Sequence, residues 1–184
     1  KSNRKNNDAI DGVSNDPVII HRSEHGVSRK NIDEPALKVM YRLHKAGYQA
    51  CLVGGAVRDL LLGRHPKDFD VATDARPEQV RALFTNSRLI GRRFRLAHVR
   101  FGREIIEVAT FRATTPGGDD DEEQKFDDSG RIIADNVYGT VEEDAVRRDF
   151  TINALYYNIA DFSIWAFADG MADLESRQLR LIGD

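Results

Sequence analysis

Two aspartates on either side of a phenylalanine, Asp68-Phe69-Asp70, are the residues whose types and spacing point most directly to chemistry. The segment DFDVAT (68–73) predicts a strand, in which residues i and i+2 point to the same face. The two carboxylates would then stand together while Phe69 enters the core. Carboxylates this close repel by a few kcal/mol at an effective dielectric constant of about 20, and a magnesium ion between them would remove that cost. The other interpretation of so short a pattern is a pair of solvated aspartates on an edge strand.

A glycine pair upstream, Gly54-Gly55, separates a buried strand (49–53) from a short helix. Such a corner exposes backbone N–H groups at the positive end of a helix, which suits phosphate, and Arg58 adds a charged side chain one turn later. Taken alone, a glycine pair is equally typical of a plain tight turn. Together with the downstream carboxylates, it predicts a site that holds a triphosphate beside a divalent metal, as nucleotidyl transfer requires.

The elements that would position these residues are short strands and short helices. A hairpin is predicted at Gly102-Arg103, between two alternating segments. The capping box T-x-x-E at 140–143 predicts a helix that continues to residue 158, FSIWAF (162–167) predicts the last strand, and a turn and a short strand would follow it. Mostly antiparallel pairing favours an α+β fold, a mixed sheet flanked by helices, over a doubly wound parallel sheet.

The organisation along the chain is a tail followed by one domain. Residues 1–28 are polar without a sustained period, which predicts a flexible tail, with PVII (17–20) as a short docking strand. Residues 29–184 would form the domain. Within it, the strongly acidic segment 117–130 is predicted to be a disordered loop, because its like charges repel.

The composition indicates a globular protein rather than a membrane or disulfide-rich one. The 184 residues are 41% hydrophobic and 31% charged, with a net charge of −3. No apolar run is long enough for a membrane-spanning helix, and the single cysteine, Cys51, excludes an intramolecular disulfide framework. We therefore expect a cytoplasmic protein without a membrane or a disulfide-linked partner.

Three segments resemble, in the same order, the motifs of the class II nucleotidyltransferases of the polymerase β superfamily, which comprise bacterial poly(A) polymerases and tRNA CCA-adding enzymes. They are LVGGAVRDLLLGRHPKDFDVAT (52–73), EEDAVRRDFTINALYYN (142–158) and ADGMADLESRQLRLIGD (168–184). A fourth segment, LIGRRFRLAHVRFGREIIEVATFR (89–112), resembles the poly(A) polymerase branch. The resemblance implies a polymerase β-like head domain that adds AMP from ATP to RNA 3′ ends. It also implies a helical neck and an RNA-binding body outside this chain.

The resemblance implies roles for individual residues. They are Asp68, Asp70 and Asp149 for catalysis; Asp68, Asp70 and Glu107 for metal binding; and Gly54, Gly55, Arg58, Asp59, Arg112 and Arg148 for substrate binding. The third carboxylate beside the aspartate pair stays open between Glu107 and Asp149. The implied cofactor is Mg²⁺, with Mn²⁺ as the alternative metal, and the implied partners are ATP and RNA 3′ ends.

Two other functions compete with polyadenylation. A tRNA CCA-adding enzyme would use the same core chemistry. A non-catalytic RNA-binding remnant would keep only the fold, but such a module gains nothing from the repulsion between Asp68 and Asp70.

Overall fold

The computed structural model describes residues 16–91, 94–113, 125–126, 132–134 and 138–183. The strands in these ranges are β1 (Val18–Ile20), β2 (Ala50–Val53), β3 (Val71–Thr73), β4 (Ser87–Ile90), β5 (Leu96–Phe101), β6 (Glu104–Thr110), β7 (Lys125–Phe126), β8 (Ile132–Ala134), β9 (Leu155–Asn158) and β10 (Ile164–Ala166). The α-helices are α1 (Glu34–Lys45), α2 (Gly55–Leu61), α3 (Pro77–Leu83), α4 (Val141–Val146) and α5 (Gly170–Ser176), with 3₁₀ turns at Arg22–Glu24, Arg29–Asn31 and Thr151–Asn153.

The main sheet has eight strands in the order β1-β10-β9-β2-β3-β6-β5-β4, and β7 and β8 form a separate pair. Neighbouring strands are antiparallel except β3 and β6, which run parallel with Val71 opposite Val108. The predicted hairpin at Gly102 is confirmed, because β5 and β6 pair across it. The predicted α+β class, with a mixed and mostly antiparallel sheet, is also confirmed.

Successive residues of the central strands enter two different cores. In β2, Leu52 joins the larger core, which α1, α2 and α3 cover, whereas Val53 joins a smaller core with Ala145 of α4. In β9, Tyr157 and Tyr156 divide in the same way, and both are fully buried. A strand with both faces covered has a continuous apolar sequence. The sheet therefore separates the face under α1–α3 from the face that carries α4.

The helix predicted from 140 to 158 is wrong beyond its first turns. The Thr140 hydroxyl accepts from the Glu143 N–H, and the Glu143 carboxylate accepts from the Thr140 N–H, so the capping box is confirmed. However, α4 ends at Val146, and residues 155–158 form β9 between β2 and β10. The burial of Tyr156 and Tyr157 on opposite faces requires the period of a strand, and pairing on both sides outweighs the local helical pattern.

Both ends of the chain also differ from the sequence predictions. The flexible tail does not extend to residue 28, because β1 pairs with β10 and Val27 is only 1% exposed. The predicted docking strand at PVII is β1. At the other end, a turn and a short strand were expected, but α5 forms and Leu181 makes only an isolated bridge to Phe150.

Most of the acidic segment predicted to be disordered, 117–130, lies outside the described residues. The part that the structure describes is β7, which pairs with β8. Among the helices of the described ranges, none has the length and apolar character needed to cross a membrane.

Candidate active site

The segment Asp68-Phe69-Asp70 lies directly before β3, which corrects the strand predicted to begin at Asp68. The N–H of Val53 donates to the carbonyl oxygen of Asp70 at 3.1 Å, and this bond continues the β2–β3 pairing up to Asp70. Phe69 is 4% exposed and packs in the larger core, whereas Asp68 and Asp70 are exposed. The predicted separation of the two carboxylates from Phe69 is therefore present without regular strand structure.

The parallel pairing of β3 with β6 brings Glu107 to Asp70. Since Val71 lies opposite Val108, the residues that precede them, Asp70 and Glu107, are neighbours across the sheet, and both line one cleft of about 250 Å³. Although part of Asp70 is exposed to solvent, its partial burial in this cleft raises its pKa, and the carboxylates of Glu107 and Asp68 raise it further. On the far side of Glu107, its Oε2 lies 3.3 Å from Nε2 of His98 in β5.

Asp70 therefore interacts electrostatically with two other carboxylates, that of Glu107 in the cleft lining and that of Asp68, two residues earlier in the chain. No set of three or more His, Cys, Asp or Glu side chains is arranged to enclose a metal ion within the described ranges. The donor chemistry nevertheless fits a hard divalent cation, because such ions prefer carboxylate oxygens and would offset the crowding that raises the pKa of Asp70.

Asp149, the other candidate for the third carboxylate, is exposed and outside the cleft lining. Its Oδ1 accepts from Nδ2 of Asn153 at 3.2 Å and from the N–H of Phe150 at 2.8 Å. The hydrogen bond from Asn153 is the main reason that its pKa lies below the ordinary value. The structure thus brings Glu107, and not Asp149, beside Asp70.

Arg148, just beyond α4, is one of three arginines that line the cleft, with Arg112 and Arg147. Its Nη2 donates to Oδ2 of Asp144 at 2.9 Å, and its Nε donates to the hydroxyl of Tyr156 at 3.2 Å. Burial alone would lower the pKa of Arg148, but Tyr156 and Asp144 raise it above its ordinary value, so the guanidinium stays charged. Its charge in turn lowers the pKa of Asp70 and opposes the effect of the carboxylates.

The glycine corner lies against two arginines. Gly54 has φ +65°, which only glycine adopts readily, and a Cβ there would lie 3.6 Å from Nη1 of Arg148. A Cβ on Gly55 would lie 3.3 Å from Nη2 of Arg58. Arg58 is held by Oδ1 of Asn153 at 2.9 Å and by Oδ1 of Asp59 at 3.0 Å. The corner predicted to bind phosphate therefore faces two fixed cationic groups.

Arg112 lies two residues beyond β6 and lines the same cleft, and its role in substrate binding stays a prediction. Its guanidinium carbon is 4.0 Å from the centre of the Phe94 ring, and its backbone N–H donates to Oδ1 of Asp144 at 3.2 Å. The sequence predicts no role for Asp144 and predicts a helix at Tyr156. The spacing of Asp144 and Arg148, i and i+4 at a helix end, was the signal that could have indicated their ion pair.

Comparisons with known proteins agree with this geometry. A family model described as the poly A polymerase head domain matches residues 50–180. The chain belongs to this family. It is 60% identical over 168 residues to poly(A) polymerase I of Salmonella typhi, covering 91% of this chain and 36% of that protein. It is 51% identical over 170 residues to poly(A) polymerase I of Haemophilus influenzae, covering 92% and 38%.

CCA-adding enzymes are also similar to this head domain. The structure of the Bacillus stearothermophilus CCA-adding enzyme in complex with CTP matches with a TM-score of 0.63 and 33% identity, covering 83% of this chain and 34% of that one. An apo CCA-adding enzyme shares the fold, with a TM-score of 0.67 and 23% identity over 90% of this chain and 39% of the other. The chain spans little more than a third of the length of the curated relatives it matches.

Proposed function

We propose that this chain is the catalytic head of a polynucleotide adenylyltransferase, which adds AMP from ATP to RNA 3′ ends. The observation that carries the proposal is the single cleft that joins Asp70 and Glu107 to Arg148, next to the glycine corner at Gly54. Acidic and cationic side chains in one cleft match a triphosphate with its metal. The identities of 51% and 60% to relatives named poly(A) polymerase I favour ATP as the nucleotide.

The triphosphate would bind at the corner, where Arg148 and Arg58 lie against Gly54 and Gly55. Both guanidinium groups are held by other side chains, so little ordering is needed when the phosphates arrive. In the reaction, the RNA 3′ hydroxyl loses its proton to solvent and its oxygen bonds to the α-phosphorus. The bond from that phosphorus to the bridging oxygen breaks, and pyrophosphate leaves. The cationic groups offset the charge that develops on the leaving phosphates.

Asp68, Asp70 and Glu107 would hold the divalent metal, Mg²⁺ or Mn²⁺. The metal supplies neutralisation of phosphate charge and acidification of the attacking hydroxyl. Asp149 has a different place in this proposal: through Asn153 it supports Arg58, which it does not contact in the described hydrogen bonds. We also propose that the protein acts in the cytoplasm, where ATP and RNA are available.

A single-nucleotide extension assay tests this proposal. The protein at its full natural length is incubated with RNA or tRNA, Mg²⁺ and one nucleoside triphosphate at a time. Long extension with ATP alone supports the proposal. Addition of a short CCA end to tRNA would identify a CCA-adding enzyme, which the similarity to the CTP complex makes the second candidate. Absence of extension with every nucleotide would favour a non-catalytic RNA-binding role.

A further inference from the structure

Asp144 is a buried carboxylate whose hydrogen bonds reach three parts of the fold. The residue is 8% exposed and lies on α4 at the cleft wall. Its Oδ2 accepts from the Tyr156 hydroxyl at 2.7 Å and from Nη2 of Arg148 at 2.9 Å, while Oδ1 accepts from the Arg112 N–H at 3.2 Å. A buried charge is stable when it is paired and hydrogen-bonded in this way. Losing any donor would therefore disturb the wall of the cleft.

The same contacts determine where the Arg148 guanidinium lies. Asp144 binds Nη2 and the Tyr156 hydroxyl binds Nε, so two of the three guanidinium nitrogens are held in place. The Tyr156 hydroxyl links both partners, since it accepts from Arg148 and donates to Asp144. Arg148 also lies over the Tyr156 ring, with its central carbon 5.4 Å from the ring centre. The third nitrogen, Nη1, is the one that lies near Gly54.

We propose that Asp144, together with Tyr156, is a positioning residue for the incoming nucleotide. This inference rests on the function proposed above. Asp144 and Tyr156 hold the Arg148 guanidinium at the glycine corner, so that Nη1 meets the triphosphate without rearrangement. A structural anchor of α4 would need the ion pair only for stability, whereas a positioning residue changes nucleotide affinity through Arg148.

The test compares conservative variants of these residues by the KM for ATP in RNA extension and by the ATP affinity of the 184-residue chain in calorimetry with Mg²⁺. We expect D144N to raise the KM for ATP and to lower the ATP affinity, each by roughly tenfold, since it removes a charged partner of Arg148. We expect Y156F, which keeps the aromatic ring, to raise the KM for ATP and to lower the ATP affinity by about threefold each. The matched control is E142Q, which removes one negative charge from the same helix and should leave both values within twofold.

A double-mutant cycle with R148K separates positioning from general structural support. If Asp144 acts through Arg148, D144N should weaken ATP binding at most twofold further once R148K is present. The inference would be overturned if the effects of D144N and R148K on ATP binding were fully additive. It would also be overturned if D144N and Y156F each lowered thermal stability without changing ATP affinity. If D144N fails to fold, the double-mutant cycle of Y156F with R148K tests the same inference by the same criterion of additivity. If the wild type binds ATP but extends no RNA, the proposed function fails, while the calorimetric cycle still decides the role of Asp144.

Discussion

Replacing Asp70 by asparagine should stabilise the metal-free protein, because the variant removes a charge that is partly buried and lies near two other carboxylates. In the wild type, burial and the neighbouring carboxylates Glu107 and Asp68 raise the pKa of Asp70. A group whose pKa is raised on folding costs no stability below the ordinary aspartate pKa, where it is protonated in both states. As the pH rises through and above that value, the folded state must ionise Asp70 against its neighbours, and stability falls.

The expected size follows from the partial exposure of Asp70. A pKa change of one unit corresponds to about 1.4 kcal/mol. Because solvent screens an exposed carboxylate, we expect D70N to gain only about 0.5–1 kcal/mol at neutral pH. For a domain of this length that corresponds to roughly 1–4 °C in Tm. The gain should disappear near pH 3, where the wild-type carboxyl is protonated.

Thermal unfolding followed by circular dichroism, with EDTA at pH 7 and at pH 3, measures this effect. D149N is the matched control: hydrogen bonds lower the pKa of Asp149, so its ionised form stabilises the fold, and its replacement should lower Tm at pH 7. Added Mg²⁺ should raise Tm of the wild type more than that of D70N. A lower Tm for D70N than for wild type in EDTA at pH 7 would refute the reasoning that burial and neighbouring carboxylates make ionised Asp70 unfavourable in the folded state.

Three further expectations follow from local geometry. G54A should lower the free energy of unfolding by about 1–3 kcal/mol in urea titrations, because alanine at φ +65° is strained; an unchanged midpoint would contradict the conformation described. T140A should cost about 1 kcal/mol in the same titration through loss of the capping box, with S28A, at the cap of a 3₁₀ turn outside the site, as a control that should cost less. The acidic residues 119–123 should exchange their amide hydrogens rapidly, since the run has no apolar anchor, and strong protection there would show that prediction to be wrong.

The sequence was sufficient to predict that Phe69 is buried while Asp68 and Asp70 stay outside the core, because this depends on local alternation. It left the third carboxylate open between Glu107 and Asp149. Which of the two lies beside Asp70 depends on the parallel register of β3 and β6, a long-range pairing that no local pattern encodes. Local reasoning favoured a helix through Tyr156 for a similar reason. Pairing with β2 and β10 makes this segment the strand β9. Because a helix was predicted there, the hydrogen bond between Tyr156 and Arg148 was not predicted either.

We propose that nucleotidyl transfer takes place at the carboxylates beside Arg148. The most direct measurement is the initial rate of ATP-dependent RNA extension by D70N and D149N at saturating Mg²⁺, with protein at its full natural length. We predict that D70N loses about 100- to 1,000-fold or more in kcat, whereas D149N, which only supports Asn153 and Arg58, loses much less. Activity of D70N within tenfold of wild type, or a larger loss in D149N than in D70N, would contradict the account.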